Sequence, residues 1–86
     1  MSRFFLHQDL GNGILEDPEG MEAADLATAK QQAIQAARQL LANAIMAGVK
    51  PIGKALRITD DAGTLLLIVP FSEALPTHMR ARPDDL

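Results

Sequence analysis

The sequence has 86 residues and no cysteine, with a net charge of −3 and 48% hydrophobic residues. A chain of this length forms one small domain with a modest core. Without cysteine it has neither disulfides nor thiolate metal ligands, which fits a reducing compartment. No apolar run reaches the length of a membrane span, and the apolar part of the N-terminus is too short for a secretory signal. We therefore expect a cytoplasmic protein without a membrane partner.

The charge balance also bears on partners. Acidic residues outnumber basic residues by 11 to 8, and the three aromatic residues are all phenylalanine. A protein that binds nucleic acid needs a cationic face for the phosphates and aromatic rings for the bases. The composition therefore disfavours nucleic acid as a partner.

The N-terminal segment predicts a pair of strands. Residues 3–8 are rich in aromatic and aliphatic side chains, which is typical of a strand. Their alternation places Phe4 with Leu6 on one face, and Phe5 with His7 on the other. The glycines and asparagine of residues 11–13 predict a turn. Residues 14–17 then predict a short second strand, which ends at Pro18.

The central stretch predicts one long amphipathic helix over about residues 25–47. Asp25 is a favourable N-cap, Gly48 closes helices well, and Pro51 prevents the helix from continuing. Apolar residues at helical spacing form one face: Leu26, Ala33, Ile34, Ala37, Leu40, Leu41, Ala44 and Ile45. A helix of this kind requires a partner surface, because packing supplies most of its stability.

The C-terminal half predicts a second pair of strands. Residues 54–60 alternate, with Leu56 and Ile58 directed inward, and the short loop at residues 61–63 leads into residues 64–71. The latter are continuously apolar, which is typical of a strand buried on both faces. We therefore place the first and fourth strands centrally, in the order second, first, fourth, third.

These elements predict an α+β fold with the order ββαββ, in which a four-stranded sheet carries one helix on one face. The single domain spans residues 1–75, and residues 76–86 form a mobile tail because they are polar and contain two prolines.

Five segments together resemble a bacterial family of domains of unknown function. They are RFFLH at residues 3–7, EDPEG at 16–20, DLATAKQQAIQAARQLL at 25–41, TDDAG at 59–63 and VPF at 69–71. Members are short, nearly whole-chain domains that open with an Arg-Tyr/Phe-Phe-Phe-His-like strand. In this chain Leu6 stands between the phenylalanines and His7. The resemblance covers the chain up to Leu75 and implies no activity, substrate or cofactor.

The acidic turn near His7 is the one candidate for metal-dependent chemistry. Imidazole and carboxylate groups are common ligands, and four carboxylates lie near His7 in the sequence: Asp9, Glu16, Asp17 and Glu19. Their spacing matches no known ligand loop, so we interpret them as a polar strand edge and an acidic segment before the helix. We predict no metal, no cofactor and no enzymatic activity, since no serine lies in a nucleophile elbow and no glycine-rich loop holds a phosphate. Metal binding at this turn remains an alternative.

A small nucleic-acid-binding sheet is a further alternative. Arg3 and Arg57 can share the open sheet face, with Lys54 nearby in the sequence. Such a regulator would use these three cations to contact phosphates.

The uncovered sheet face carries the main functional hypothesis, because one helix covers only one face of a sheet. If Asp60 pairs with Thr64, the open face holds an apolar set with a cation at its rim: Leu65, Leu67, Val69 and Phe5, with Arg57. A loop one residue shorter would expose Leu66 and Ile68 instead. An apolar patch of this kind marks an interface. The sequence thus predicts a non-enzymatic protein-interaction module that forms a homodimer through this face, unless residues 72–79 fold over it.

Overall fold

The computed structural model describes residues 2–49 and 53–75. In these residues it has five strands, one α-helix and a short 3₁₀ helix: β1 Ser2–Asp9, β2 Ile14–Leu15, β3 Met21–Ala23, α1 Leu26–Ala47, β4 Ala55–Thr59, β5 Leu65–Pro70 and the 3₁₀ helix Phe71–Ala74. The predicted α+β class is confirmed, but the sheet has five strands and not four. The predicted tail lies outside the described residues.

The additional strand comes from the segment between β2 and the helix. β2 pairs with the second half of β1 and β3 pairs with its first half, both antiparallel. Five residues, 16–20, connect β2 to β3, whereas only three residues of β1, 5–7, lie between the two paired segments. The connection therefore bulges away from the ladder. We refer to residues 16–20 as the strap.

The sheet order differs from the predicted one. The strands lie in the order β2-β1-β4-β5, all antiparallel, so β4 and not the last strand is central. The continuous apolar run of the last strand suggested burial on both faces. Its outer side chains are instead exposed, because α1 covers only one face of the sheet.

An irregularity in the β4–β5 pairing decides which side chains of β5 reach the core. Ile58 lies opposite Leu67, but the next residue, Thr59, lies opposite Leu65, so Leu66 has no partner of its own. One extra residue of this kind reverses the alternation of side chains beyond it. The two alternative registers considered from the sequence are therefore combined in one strand.

The helix forms as predicted and packs its alanine-rich face on the sheet. The Asp25 carboxylate accepts the N–H of Thr28 at 2.8 Å, and Gly48 takes the left-handed conformation with φ 70°. The core of the domain lies between this helix and the sheet: Phe4, Ala23, Ala29, Ala33, Ala37, Leu56, Ile58, Val69, Phe71 and Ala74. Three helical alanines at this contact let the backbone of α1 approach the sheet closely.

The end of the helix departs from the prediction. Ile45 was expected on the buried face, but it is 73% exposed. A helix of 22 residues is about 33 Å long, whereas the five residues of β4 extend over about 17 Å. The last turns of α1 therefore extend past β4, and Ile45 and Met46 are exposed among the described residues.

The chain after β5 turns toward the helix. Phe71 and Ala74 of the 3₁₀ helix are buried, and the Ala74 carbonyl accepts the Nε–H of Arg38 at 2.9 Å. An ion pair of 3.7 Å joins Lys30 to Glu73 on the same side. The described part of the predicted cover, residues 72–75, thus lies beside α1 and leaves the other sheet face uncovered. Residues 76–79 lie outside the described residues.

Candidate functional site

The outer face, defined as the side of the sheet away from α1, carries three rows of side chains across β1, β4 and β5. The strand registers give them as Phe5–Thr59–Leu65, His7–Arg57–Ile68 and Asp9–Ala55–Pro70. Polar groups dominate the β1 and β4 positions, and aliphatic groups occupy β5. The face therefore divides into a polar half and an apolar half.

The apolar half is the β5 strip, defined as Leu65, Leu66 and Ile68. These side chains are 45%, 38% and 46% exposed. Two of the three aliphatic residues predicted for this surface are misplaced, since Val69 is fully buried and Leu67 packs against the core. The irregularity at Leu66 explains the error, because it directs Leu65 and Leu66 outward and still returns Leu67 to the helix side. Phe5 lies on the outer face as predicted and is half-buried.

Arg57 was expected at the rim of the interface, but it lies in the middle of the outer face. It is flanked by His7 and Ile68, and its Nη2 lies 3.2 Å from Oδ2 of Asp9. Its Nε is buried, with no hydrogen-bond partner among residues 2–49 and 53–75. The backbone N–H of Gly11 and, more weakly, Arg57 lower the pKa of Asp9 against the opposing effect of burial. The guanidinium is thus committed to an internal ion pair.

Both ring nitrogens of His7 are engaged in hydrogen bonds. Nδ1 accepts the backbone N–H of Asp17 at 3.0 Å, so it carries no proton in this arrangement. Nε2 then bears the proton and donates to Oγ1 of Thr59 at 3.1 Å. The ring is parallel to that of Phe5, with centroids 6.2 Å apart. Of the residues with described positions, no three His, Cys, Asp or Glu side chains are grouped so as to hold a metal ion.

The strap is held against β1 by the bonds of Asp17 to Leu6 and His7 and by that of Arg3 to the Glu19 carbonyl. The Asp17 carboxylate accepts three backbone N–H groups, from Leu6 at 3.2 Å, Glu19 at 3.2 Å and Gly20 at 3.1 Å. Gly20 has φ 71°, and a Cβ there would lie 2.8 Å from the Phe4 carbonyl oxygen. From the sequence, these residues were interpreted as an acidic segment before the helix. The signal that was missed is an aspartate followed by glycine three residues later, a pattern typical of a turn closed by a side chain.

The hydrogen bonds to Asp17 also set its ionisation. Partial burial acts to raise its pKa, but the N–H groups of Gly20, Leu6 and Glu19 outweigh burial and lower the pKa below the ordinary value of 3.8. Hydrogen bonds donated to a carboxylate favour its charged form. The fold is therefore coupled to the charge on Asp17.

This coupling predicts a loss of stability in acid. The pKa of Asp17 is lower in the folded than in the unfolded chain, so its charged form stabilises the fold above about pH 4. That contribution is lost as the pH falls through the lowered folded-state pKa. We expect the free energy of unfolding, measured by urea titration between pH 7 and pH 2.5, to fall less steeply below pH 4 in Asp17→Asn than in the wild type. Parallel profiles for the two proteins would contradict this coupling.

Two of the three cations proposed for nucleic-acid binding are paired. Arg3 donates to the Glu19 carbonyl at 2.6 Å and lies 3.4 Å from the carboxylate of Glu22. Arg57 is held by Asp9, whereas Lys54 is exposed just before β4. The structure brings Arg3 and Arg57 to the same face, as predicted, but both charges are largely balanced there.

A shallow cavity of about 580 Å³ lies where the start of β1 meets the β4–β5 turn, lined by Ser2, Arg3, Phe4, Glu22, Asp60, Asp61 and Leu66. Two of its three carboxylates serve the fold: Glu22 pairs with Arg3, and Asp60 accepts the N–H groups of Ala62 and Thr64. Within residues 2–49 and 53–75, no helix is long and apolar enough to cross a membrane.

Comparison with known proteins identifies the family. Residues 3–72 match the model described as Domain of unknown function (DUF6894). The chain belongs to this family. No curated protein and no solved structure matches it. The match to DUF6894 begins at Arg3 of β1 and ends at Ser72 of the 3₁₀ helix, so it includes the whole sheet, α1 and the strap. The predicted resemblance to a short domain of unknown function is confirmed.

Proposed function

We propose that this DUF6894 chain is a non-enzymatic protein-interaction module that self-associates as a homodimer through its outer sheet face. The observation that carries the proposal is the β5 strip. Three large aliphatic side chains lie together on an edge strand, each between 38% and 46% exposed. Adjacent exposed aliphatic groups of this kind are typical of an interaction surface.

The polar groups of the same face support a binding role over a catalytic one. His7, Asp17 and Thr59 hold each other and the strap, and Asp9 holds Arg57. A general acid or base must be able to reach a substrate proton, whereas these groups are engaged in contacts within the fold. The ion pairs of Arg3 and Arg57 likewise weaken the alternative of a nucleic-acid-binding regulator, since phosphate contacts need uncompensated cations.

The magnitude of the exposed surface indicates weak association. Full burial of a leucine or isoleucine side chain contributes about 1.5–3 kcal/mol, so three half-exposed side chains contribute about 2–4 kcal/mol from each copy. Bringing two molecules together costs at least about 4 kcal/mol in translational and rotational freedom. We therefore expect a dimer that forms reversibly with increasing protein concentration.

Light scattering across a concentration range tests this function. The wild type is expected to rise from the monomer mass of 9.3 kDa toward twice that value. Ile68→Lys is expected to remain monomeric and folded, because it places a charge in the strip. The matched control is Ile45→Lys, which changes the same residue type at the exposed end of α1 and should leave association unchanged. Leu67 is unsuitable for this test because it packs against the core.

A wild type that stays monomeric at all concentrations would contradict the proposal. A dimer disrupted by Ile45→Lys and not by Ile68→Lys would move the interface to the end of α1.

A further inference from the structure

The strap lies against Phe5 and His7 of β1 on the outer face. A Cβ on Gly20 would come within 2.9 Å of Cε2 of Phe5, so the backbone of the strap is in direct contact with that ring. His7 lies beside Phe5 and holds the strap through the N–H of Asp17. Phe5 is in the same row as Thr59 and Leu65. Removing the strap would therefore extend the exposed apolar surface across the sheet.

We propose that the strap is a proton-sensitive cover of the outer face: a second proton on His7 removes one of the contacts that hold residues 16–20 to β1, so the strap opens more often, uncovers Phe5 and strengthens self-association. This inference rests on the proposed function, since it concerns regulation of the same surface.

The hydrogen-bond geometry requires this sensitivity. In the closed arrangement Nδ1 of His7 is an acceptor, and Nε2 donates to Thr59. A proton taken from solvent binds Nδ1, after which both ring nitrogens are donors and neither accepts. The Nδ1–H and the N–H of Asp17 would then be directed at each other. The bond that joins the strap to His7 is lost, while the bond to Thr59 is retained.

The charged groups around His7 act on a charged ring in opposite directions. Arg57 of β4 lies directly opposite on the neighbouring strand and repels a charged ring. Asp9 on the same strand is already paired with Arg57. Asp17 of the strap attracts the ring, but its oxygens hold the N–H groups of Leu6, Glu19 and Gly20.

The test measures strap opening and association separately between pH 8 and pH 5, the range in which histidine side chains change charge. All proteins carry His78→Gln, because His78 is the second of the two histidines. Opening is followed by amide hydrogen exchange at Asp17, corrected for the intrinsic pH dependence of exchange. Association is followed by light scattering. In this background, protection of the Asp17 amide is expected to be about tenfold lower at pH 5 than at pH 8, because one hydrogen bond is lost. The dimer fraction is expected to be higher at pH 5.

Two variants separate the proton from other effects of pH. His7→Asn retains an acceptor near the Nδ1 position and does not titrate, so its protection and its dimer fraction should not change over this range. His7→Leu has no acceptor, so the Asp17 amide should be unprotected and association strong at both pH values. A protein with native His7 whose Asp17 amide stays protected at pH 5 would overturn the inference, as would a pH response retained in His7→Asn.

Failure of the proposed function gives a different result. If protection of Asp17 follows protonation of His7 but every protein stays monomeric, the proton-sensitive strap is supported and its role in self-association is overturned.

Discussion

Replacing Ile58 by alanine is expected to lower the free energy of unfolding by about 2–5 kcal/mol, the range measured for truncating a buried aliphatic side chain. Ile58 has no exposed surface and lies in β4 between Leu6 and Leu67 of the neighbouring strands, in the core cluster that also contains the helical alanines. These neighbours belong to regular helix and strand and can collapse only partly into the space that the side chain leaves. The loss is a large share of the stability of a domain this small, for which about 5 kcal/mol in total is ordinary.

The matched control for this substitution is Ile68→Ala. It removes the same atoms from the neighbouring strand, but its side chain is 46% exposed on the outer face, so we expect a loss below about 1 kcal/mol. Urea unfolding followed by circular dichroism measures both values. Equal losses at the two positions would contradict the placement of Ile58 in the core and Ile68 outside it.

The second large effect is expected at the contact between the helix and the sheet. Ala33 is fully buried in the middle of α1, and Ala33→Leu adds three carbon atoms where the helix backbone lies close to the sheet. Overpacking of this kind costs about 1–3 kcal/mol. For a domain of this size each kcal/mol shifts Tm by about 4–8 °C, so thermal unfolding should show a decrease of about 4–24 °C.

Ala27→Leu is the control for this substitution. Ala27 lies on the exposed side of the same helix, and leucine is nearly as good a helix former as alanine. Its Tm should change by no more than a few degrees. A decrease in Ala27→Leu equal to that in Ala33→Leu would show that the cost arises from helix propensity and not from close packing.

The candidate site was only partly accessible from the sequence. Phe5, His7, Arg57 and Leu65 lie on the outer face as the alternation of residues predicted. Leu67 and Val69 were predicted on the wrong face of the sheet. In a run of aliphatic residues no polar residue alternates with the apolar ones, so the pattern does not show which side chains are directed inward. The role of Asp17 was not foreseen either, since its partner Leu6 lies 11 residues away along the chain.

The sequence by itself determined the helix and its ends, the inward side of β4, and the α+β class. These depend on contacts within a few residues: the carboxylate of Asp25 reaches the first turn, Gly48 closes the last, and Leu56 and Ile58 alternate with polar neighbours. Tertiary structure decided the position of β5 at the edge, the reversal at Leu66 and the course of the strap. Each of these features depends on groups distant in sequence. Several arrangements satisfy the contacts between near neighbours equally well, and the burial of Val69 against α1 and the bonds of Asp17 to β1 select one of them.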